Sequence, residues 1–266
     1  MGSASMNING FPVVDDSYRV DQVLDTDEFG TGYVERDYSD YPLGGLKCAM
    51  ANTTPTFSQA ELLERIAEKT AKKSWITDKC DAAGLTVKNQ SRSPYCWIHA
   101  PVHGMEVQYV LQGGDVKVLS AFYAGARIKN GRSQGGSGIT GVKWLHENGT
   151  CLESMHAPMD FKVDRNPEHE ANAKLHQLVG WEDLDPRDMM AIFSKIVLDQ
   201  PVTVGIPAWG HEVLITFLVV ESGLILPGFD NSWGTSYGKN GRGVLRGKMT
   251  RFDEAGSVAN VEPAAE

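Results

Sequence analysis

Positive charge is in short supply: 25 Lys and Arg face 34 Asp and Glu among 266 residues, for a formal charge of -9. That balance repels phosphate backbones and leaves no basic stripe, which excludes nucleic acid as a partner. Long apolar runs are also missing. The longest, residues 213–220, has eight residues between Glu212 and Glu221, far below the ~20 that a membrane-crossing helix needs. The first eleven residues carry neither the basic cluster nor the apolar stretch of a signal peptide. Cysteine is scarce: Cys48, Cys80, Cys96 and Cys151 are too few to staple a chain that needs no staples, and a reducing compartment is expected. No HExxH and no paired CxxC is present. His99 and His103, four apart, have a metal-like spacing but no such companions, so they read as packing or solvent-facing side chains and no metal is expected.

The chain does have 41% apolar residues, enough for a substantial core. Its charge is concentrated at the start, where residues 1–46 hold nine acidic residues against Arg19 and Arg36. With Tyr18, Tyr33, Tyr38 and Tyr41 and little periodicity, this stretch reads as an acidic arm that docks on its own domain or on a protein partner, or else as a solvated coil. Ser58 and Glu61 form a capping box, and the stripe Leu62, Leu63, Ile66 predicts a helix to about Lys73, either for packing or as part of an inhibitory prosegment. A second helix is expected over 95–111, kinked by Pro101 and Gly104. A third opens with Asp185 as N-cap and Pro186 at its first position. Residues 202–206, 212–220 and 223–226 are short β-branched runs that suit antiparallel strands. Helices early and strands late give an α+β class with two lobes. The expected layout is an N-terminal extension over 1–56, a domain over 57–254 divided near residue 160 into a helical and a β lobe, and a mobile tail over 255–266.

Gln90 stands six positions before Cys96 and Trp97; His211 leads into an apolar run; Asn231, Ser232, Trp233 and Gly234 follow twenty residues later; Gln134, Gly135 and Gly136 lie between. Taken in that order, these motifs resemble the papain family of cysteine peptidases over about residues 85–250. The resemblance implies a papain-like fold with Cys96 as nucleophile at a helix N-terminus and His211 as general base. It further implies Asn231 as the group that orients the imidazole, Trp233 as its shield, and Gln90 as oxyanion donor. Gly135 and Gly136 would dock an extended peptide. It implies no cofactor and a peptide or protein substrate.

The chain also departs from that pattern. Ser93 and Ser133 occupy the places of a disulfide found in secreted members, and Tyr237 replaces a second tryptophan. Only seven steps separate Val204 from His211. The spacing from Cys96 to His211, 115 residues, is shorter than the family's ~130–150. Two functional classes remain open. One is a cysteine-type endopeptidase, with acyl transfer to an amine using the same triad. The other is a structural or assembly subunit, for instance of a virus particle, whose site is residual or acts only in maturation. The expected location is accordingly cytoplasmic or virion-associated.

Overall fold

The computed structural model describes residues 7–18, 29–43 and 55–261. Helix α1, Gln59–Lys72, begins where the capping box places it: the Ser58 hydroxyl accepts from the Glu61 amide and the Glu61 carboxylate accepts from the Ser58 amide. It ends at Lys73 in the left-handed region. Helix α2 spans Ile76–Ala83 and helix α3 spans Cys96–Leu111. Helix α3 is buried on every side down to Tyr109, the signature of a central core helix. It continues through Pro101 and Gly104 as one helical span. Gly104 is where β-strands crowd it, since a Cβ there would meet Val258 at 2.8 Å and Leu214 at 3.3 Å. Around it lie α4, Ala121–Ile128, and α5, Gly138–Asn148. A short α6, Pro167–Lys174, covers the charged stretch that carries His169.

The sheet contains β1, Asn7–Ile8; β2, Phe11–Val14; β3, Leu178–Leu184; β4, Val202–Ile206; β5, His211–Glu221; β6, Leu224–Asp230; β7, Arg242–Leu245; and β8, Glu254–Val261. Their order is β1-β2-β7-β6-β5-β4-β8-β3, antiparallel except where β2 runs parallel to β7. Helix α7, Met189–Val197, starts later than the sequence indicates. Asp188 is its N-cap, accepting from the Ala191 amide at 2.9 Å, while Asp185 and Pro186 belong to the preceding turn. Apolar burial divides into two main clusters. One joins the sheet to α1 and α7 through Leu62, Ile192, Val204, Ile215 and Phe229. The other packs α3, α4 and α5 against Trp181 and Val258 of β3 and β8.

Two expectations are corrected. The stretch from Ala255 is no tail through Val261: β8 pairs with both β3 and β4, and its small side chains suit a strand pressed against α3. Residues 262–266 lie outside the described residues. Helix α1 packs on α7 and β5, on the sheet side of the molecule, not with the central helices. The described parts of the acidic segment are docked on the body: β2 extends the sheet, and residues 29–36 cross its face. Cys48 and Asp21, Asp25, Asp27 and Glu28 lie outside the described residues. Among the described residues, no helix is long and apolar enough to cross a membrane.

Candidate active site

Helix α3 begins at Cys96, and Tyr95 ahead of it provides no side-chain cap. The first-turn amides of such a helix point at whatever sits at its start. The sulfur is faced by the amides of Glu212, Gly32 and Trp97. On the opposite wall, β4 and β5 form a hairpin whose last pair is Ile206 and His211. The turn between them is tight, with the Gly210 amide donating back to the Ile206 carbonyl at 2.9 Å. This turn fixes His211 at the first position of β5.

The His211 Nε2 atom lies 2.8 Å from Asn231 Oδ1, and its Nδ1 atom is buried without a hydrogen-bond partner. An amide oxygen only accepts, so Nε2 carries the proton and Nδ1 holds the free lone pair. Two indoles enclose the imidazole, Trp233 at 4.7 Å and Trp209 at 4.8 Å between ring centroids. Asn231 is held because the loop after β6 is stitched to residues 88–90. The Gln90 amide donates to the Ser232 carbonyl at 2.7 Å and the Gly234 amide to the Lys88 carbonyl at 2.9 Å. The Gln90 side chain is locked in turn: Oε1 accepts from the Ser232 hydroxyl, while Nε2 donates to the Ser93 and Gly30 carbonyls at 2.7 and 3.0 Å.

Residues 29–36 fill the space between these walls. The Gly30 carbonyl also accepts from the Trp233 indole at 2.9 Å, and Phe29 stacks on that ring. Gly32 and Tyr33 donate to the Gly210 carbonyl on one side. On the other, Gly136 donates to the Gly32 carbonyl at 3.0 Å and accepts from the Val34 amide at 2.9 Å, a parallel bridge centred on Tyr33. Gly135 lies against the same backbone. Glycine is required at 30 and 32, because a Cβ would overlap the carbonyls of Ser93 and Pro94. Cys96 and His211 are each 0% exposed and Asn231 1%, so the cleft is closed by the chain itself.

No protein-family model and no curated protein sequence matches this chain. Solved structures do. A digestive procathepsin L 3 from the larval midgut of Tenebrio molitor is similar with a TM-score of 0.58 at 16% identity, over 90% of this chain and 79% of that one. Xylellain, a cysteine protease from Xylella fastidiosa, is similar with a TM-score of 0.55 at 12% identity, over 94% of this chain and 96% of that one. The fold is papain-like.

Within this papain-like fold, Cys96 starts α3 and His211 starts β5, two elements that pack on each other; the sulfur faces the Glu212 amide beside His211, and His211 Nδ1 makes no hydrogen bond to it. Burial, assisted by the nearby Glu212 carboxyl, pushes the Cys96 thiol up to about 12. Burial likewise pushes the His211 imidazole down to about 4, against the hydrogen bond it donates to Asn231. With residues 29–36 in place, both groups are therefore neutral at pH 7. His99 and His103 do not converge on a common site. The first holds the Tyr95 carbonyl, and the second bridges Glu106 and Asp230 at 3.0 and 3.2 Å.

Sequence reasoning missed Gly30, Gly32, Tyr33, Trp209, Glu212 and Glu254 as parts of this cleft. Two signals existed: a Gly-Thr-Gly triplet at 30–32 inside an acidic segment, and a glutamate at 212 opening an otherwise apolar strand.

Proposed function

We propose that this chain is a papain-like cysteine endopeptidase held latent by its own residues 29–36. The observation that carries the reading is the His211 imidazole, tied to Asn231 through Nε2 with Nδ1 free, in one closed cleft with a cysteine at a helix N-terminus. When residues 29–36 leave, water reaches both groups and the thiol falls while the imidazole rises, which favours transfer of the thiol proton to Nδ1. The Cys96 thiolate then attacks the carbonyl carbon of a peptide bond. The oxyanion that forms is stabilised by the Gln90 side-chain amide, freed from Gly30, and by the Cys96 backbone N–H. His211 protonates the departing amine, leaving an acyl-enzyme on Cys96. A water molecule, losing its proton to His211, hydrolyses that thioester and releases the acid. An amine in place of water gives acyl transfer with the same groups.

The segment that occupies the cleft does not itself present a bond for attack. The sulfur faces the Gly32 amide N–H, and the carbonyl of this segment that accepts from the Gln90 donor belongs to Gly30. A similar solved structure is a procathepsin, which is consistent with a latent form. The complete burial of Cys96 also supports a second reading, an assembly subunit with a residual site. A test separates them: the full chain carrying Gly32→Ala is incubated with a quenched-fluorescent peptide library, alongside the same chain with Cys96→Ala added. Cleavage that disappears with Cys96 supports the peptidase. No cleavage from a folded Gly32→Ala chain supports the subunit.

A further inference from the structure

Tyr33 carries an aromatic ring of the occluding segment into the body of the protein. It is 8% exposed, and its ring covers Gly205 of β4 so closely that any Cβ there would overlap it. The walls around it are acidic. The Tyr33 hydroxyl donates to Asp253 Oδ2 at 2.8 Å, and the carboxyls of Glu254 and Glu212 both act on the phenol. Glu254 is fixed by the Gly138 and Ile139 amides at the start of α5, at 2.5 and 3.2 Å. Glu212 accepts from the Thr203 hydroxyl through Oε1, while its fully buried Oε2 has no donor from the protein. Burial raises both acids, helped by the Glu254 charge at Glu212 and by the Asp253 charge at Glu254, which is raised to about 7.

The charge that balances this pocket arrives with the segment. Arg36 is the cation acting on Glu254, its guanidinium is paired with Asp183 at 2.6 Å, and its backbone amide donates to Asp253 at 2.7 Å. When residues 29–36 leave, the phenol and Arg36 leave together. The carboxyls of Asp253, Glu254 and Glu212 then face the space the phenol occupied, beside the Gly136 backbone that pairs with Tyr33.

We infer that this pocket is a subsite for a cationic side chain, so that the substrates are peptides with Lys or Arg at the residue that docks on Gly136. A primary ammonium or guanidinium supplies the donors that Glu212 Oε2 lacks and that Asp253 loses with Tyr33. Its arrival draws the shared proton from the Glu212 and Glu254 pair, converting a buried acid pair into a compensated one. The substrate class rests on the peptidase reading, whereas the affinity of the pocket for a cation does not.

The test uses the full chain and reads protection of Cys96, which needs no catalysis. Tyr33→Lys, Tyr33→Arg and Tyr33→Leu are compared by the rate of iodoacetamide alkylation of Cys96 at pH 7.5. A cation-binding pocket keeps the Lys or Arg variant at least about tenfold better protected than the Leu variant. Equal or better protection in Tyr33→Leu overturns the inference and assigns the pocket to apolar side chains. A second arm uses the Gly32→Ala chain and a peptide library scanned at each position for Lys, Arg, norleucine and Tyr. Preference for Lys or Arg over norleucine at one position, reduced by Glu254→Gln, supports the substrate class. Cleavage without that preference overturns the substrate class and leaves the peptidase standing. Absence of all cleavage removes the peptidase reading, and with it the substrate class, while the protection ratio still decides whether the pocket binds a cation.

Discussion

The side-chain amide of Gln90 donates to the carbonyl of Gly30 at 3.0 Å, so the donor best placed for an oxyanion is already engaged by the chain's own backbone. The same carbonyl takes the Trp233 indole N–H, and the next two residues lead the segment over Cys96. In the proposed peptidase, latency thus follows from competition for one donor together with exclusion of water, and each part of it is open to substitution.

The first prediction concerns the fit of the segment. A methyl group at 30 or 32 overlaps a carbonyl of residues 93–94, and backbone carbonyls cannot move aside as a flexible side chain would. Gly30→Ala and Gly32→Ala are expected to raise the alkylation rate of Cys96 by iodoacetamide by at least about tenfold over wild type, since ~1.4 kcal/mol of lost docking is a factor of ten. Unchanged rates in both folded variants would show that the segment is not held by this contact.

The second concerns His211. In the opened Gly32→Ala chain, His211→Ala removes both the acid and the base of the cycle and is expected to lower peptide hydrolysis by roughly 10²–10⁴-fold. Asn231→Ala leaves the imidazole free to rotate between its two indole walls and is expected to lower it by less, with a changed pH profile. Equal losses would mean that Asn231 does more than orient the ring.

Stability should depend on pH through the pocket acids. Burial raises Glu254 from an ordinary 4.5 to about 7, and Glu212 moves the same way. Between those values the unfolded chain has given up its proton and the folded chain retains it. Stability from Glu254 is therefore complete below about pH 4.5 and is lost as pH rises through about 7, with Glu212 acting in the same direction, at a slope of at most ~1.4 kcal/mol per pH unit per group. Urea unfolding at pH 5, 6 and 7 should show a smaller decline in Glu254→Gln than in wild type. Parallel declines would remove Glu254 as the cause.

A buried ionic network under the site gives a fourth prediction. Glu106 accepts from Lys88 and the Leu119 amide at 2.6 and 2.7 Å and from His103 at 3.0 Å. Against burial, which raises it, those cations hold its carboxyl below the usual range. Glu106→Ala removes the carboxylate shared by Lys88, His103 and the Leu119 amide, leaving His103 with Asp230 alone and Lys88 with the Leu119 carbonyl and Glu153, and is expected to cost ~3–5 kcal/mol, read as a lower urea midpoint. A loss under ~1 kcal/mol, the scale of an exposed pair, would mean that water replaces the carboxylate.

Much of the site was legible because its chemistry depends on side-chain types at fixed separations. Cys96, His211, Asn231 and Gln90 stand out by spacing; in the structure Asn231 holds His211, Ser232 ties Gln90 to the Asn231 loop, and Cys96 faces the Glu212 amide next to His211. The capping box at Ser58 and the strand over 202–206 were readable because local rules govern them. The occluding segment was not, because it docks mainly through backbone groups: the Gly30 and Gly32 carbonyls, the Val34 amide and bare glycine faces carry almost no pattern. Strand β8 was hidden for a related reason. Alanine, glycine and serine at 255–257 look like a mobile tail until α3, with Gly104 facing Val258, is known to press against them. The late start of α7 reflects two aspartates three residues apart, either of which satisfies the capping rule, and tertiary packing selects Asp188.

The measurement that tests latency and chemistry together is mass spectrometry after incubation with a peptidyl epoxide, comparing wild type, Gly32→Ala, and Gly32→Ala combined with His211→Ala. The account predicts one adduct, on Cys96, formed fast in Gly32→Ala, slowly or not at all in wild type, and lost with His211. Its contradiction would be a Gly32→Ala chain in which iodoacetamide reaches Cys96 but the epoxide does not react, an open cleft holding an unactivated thiol.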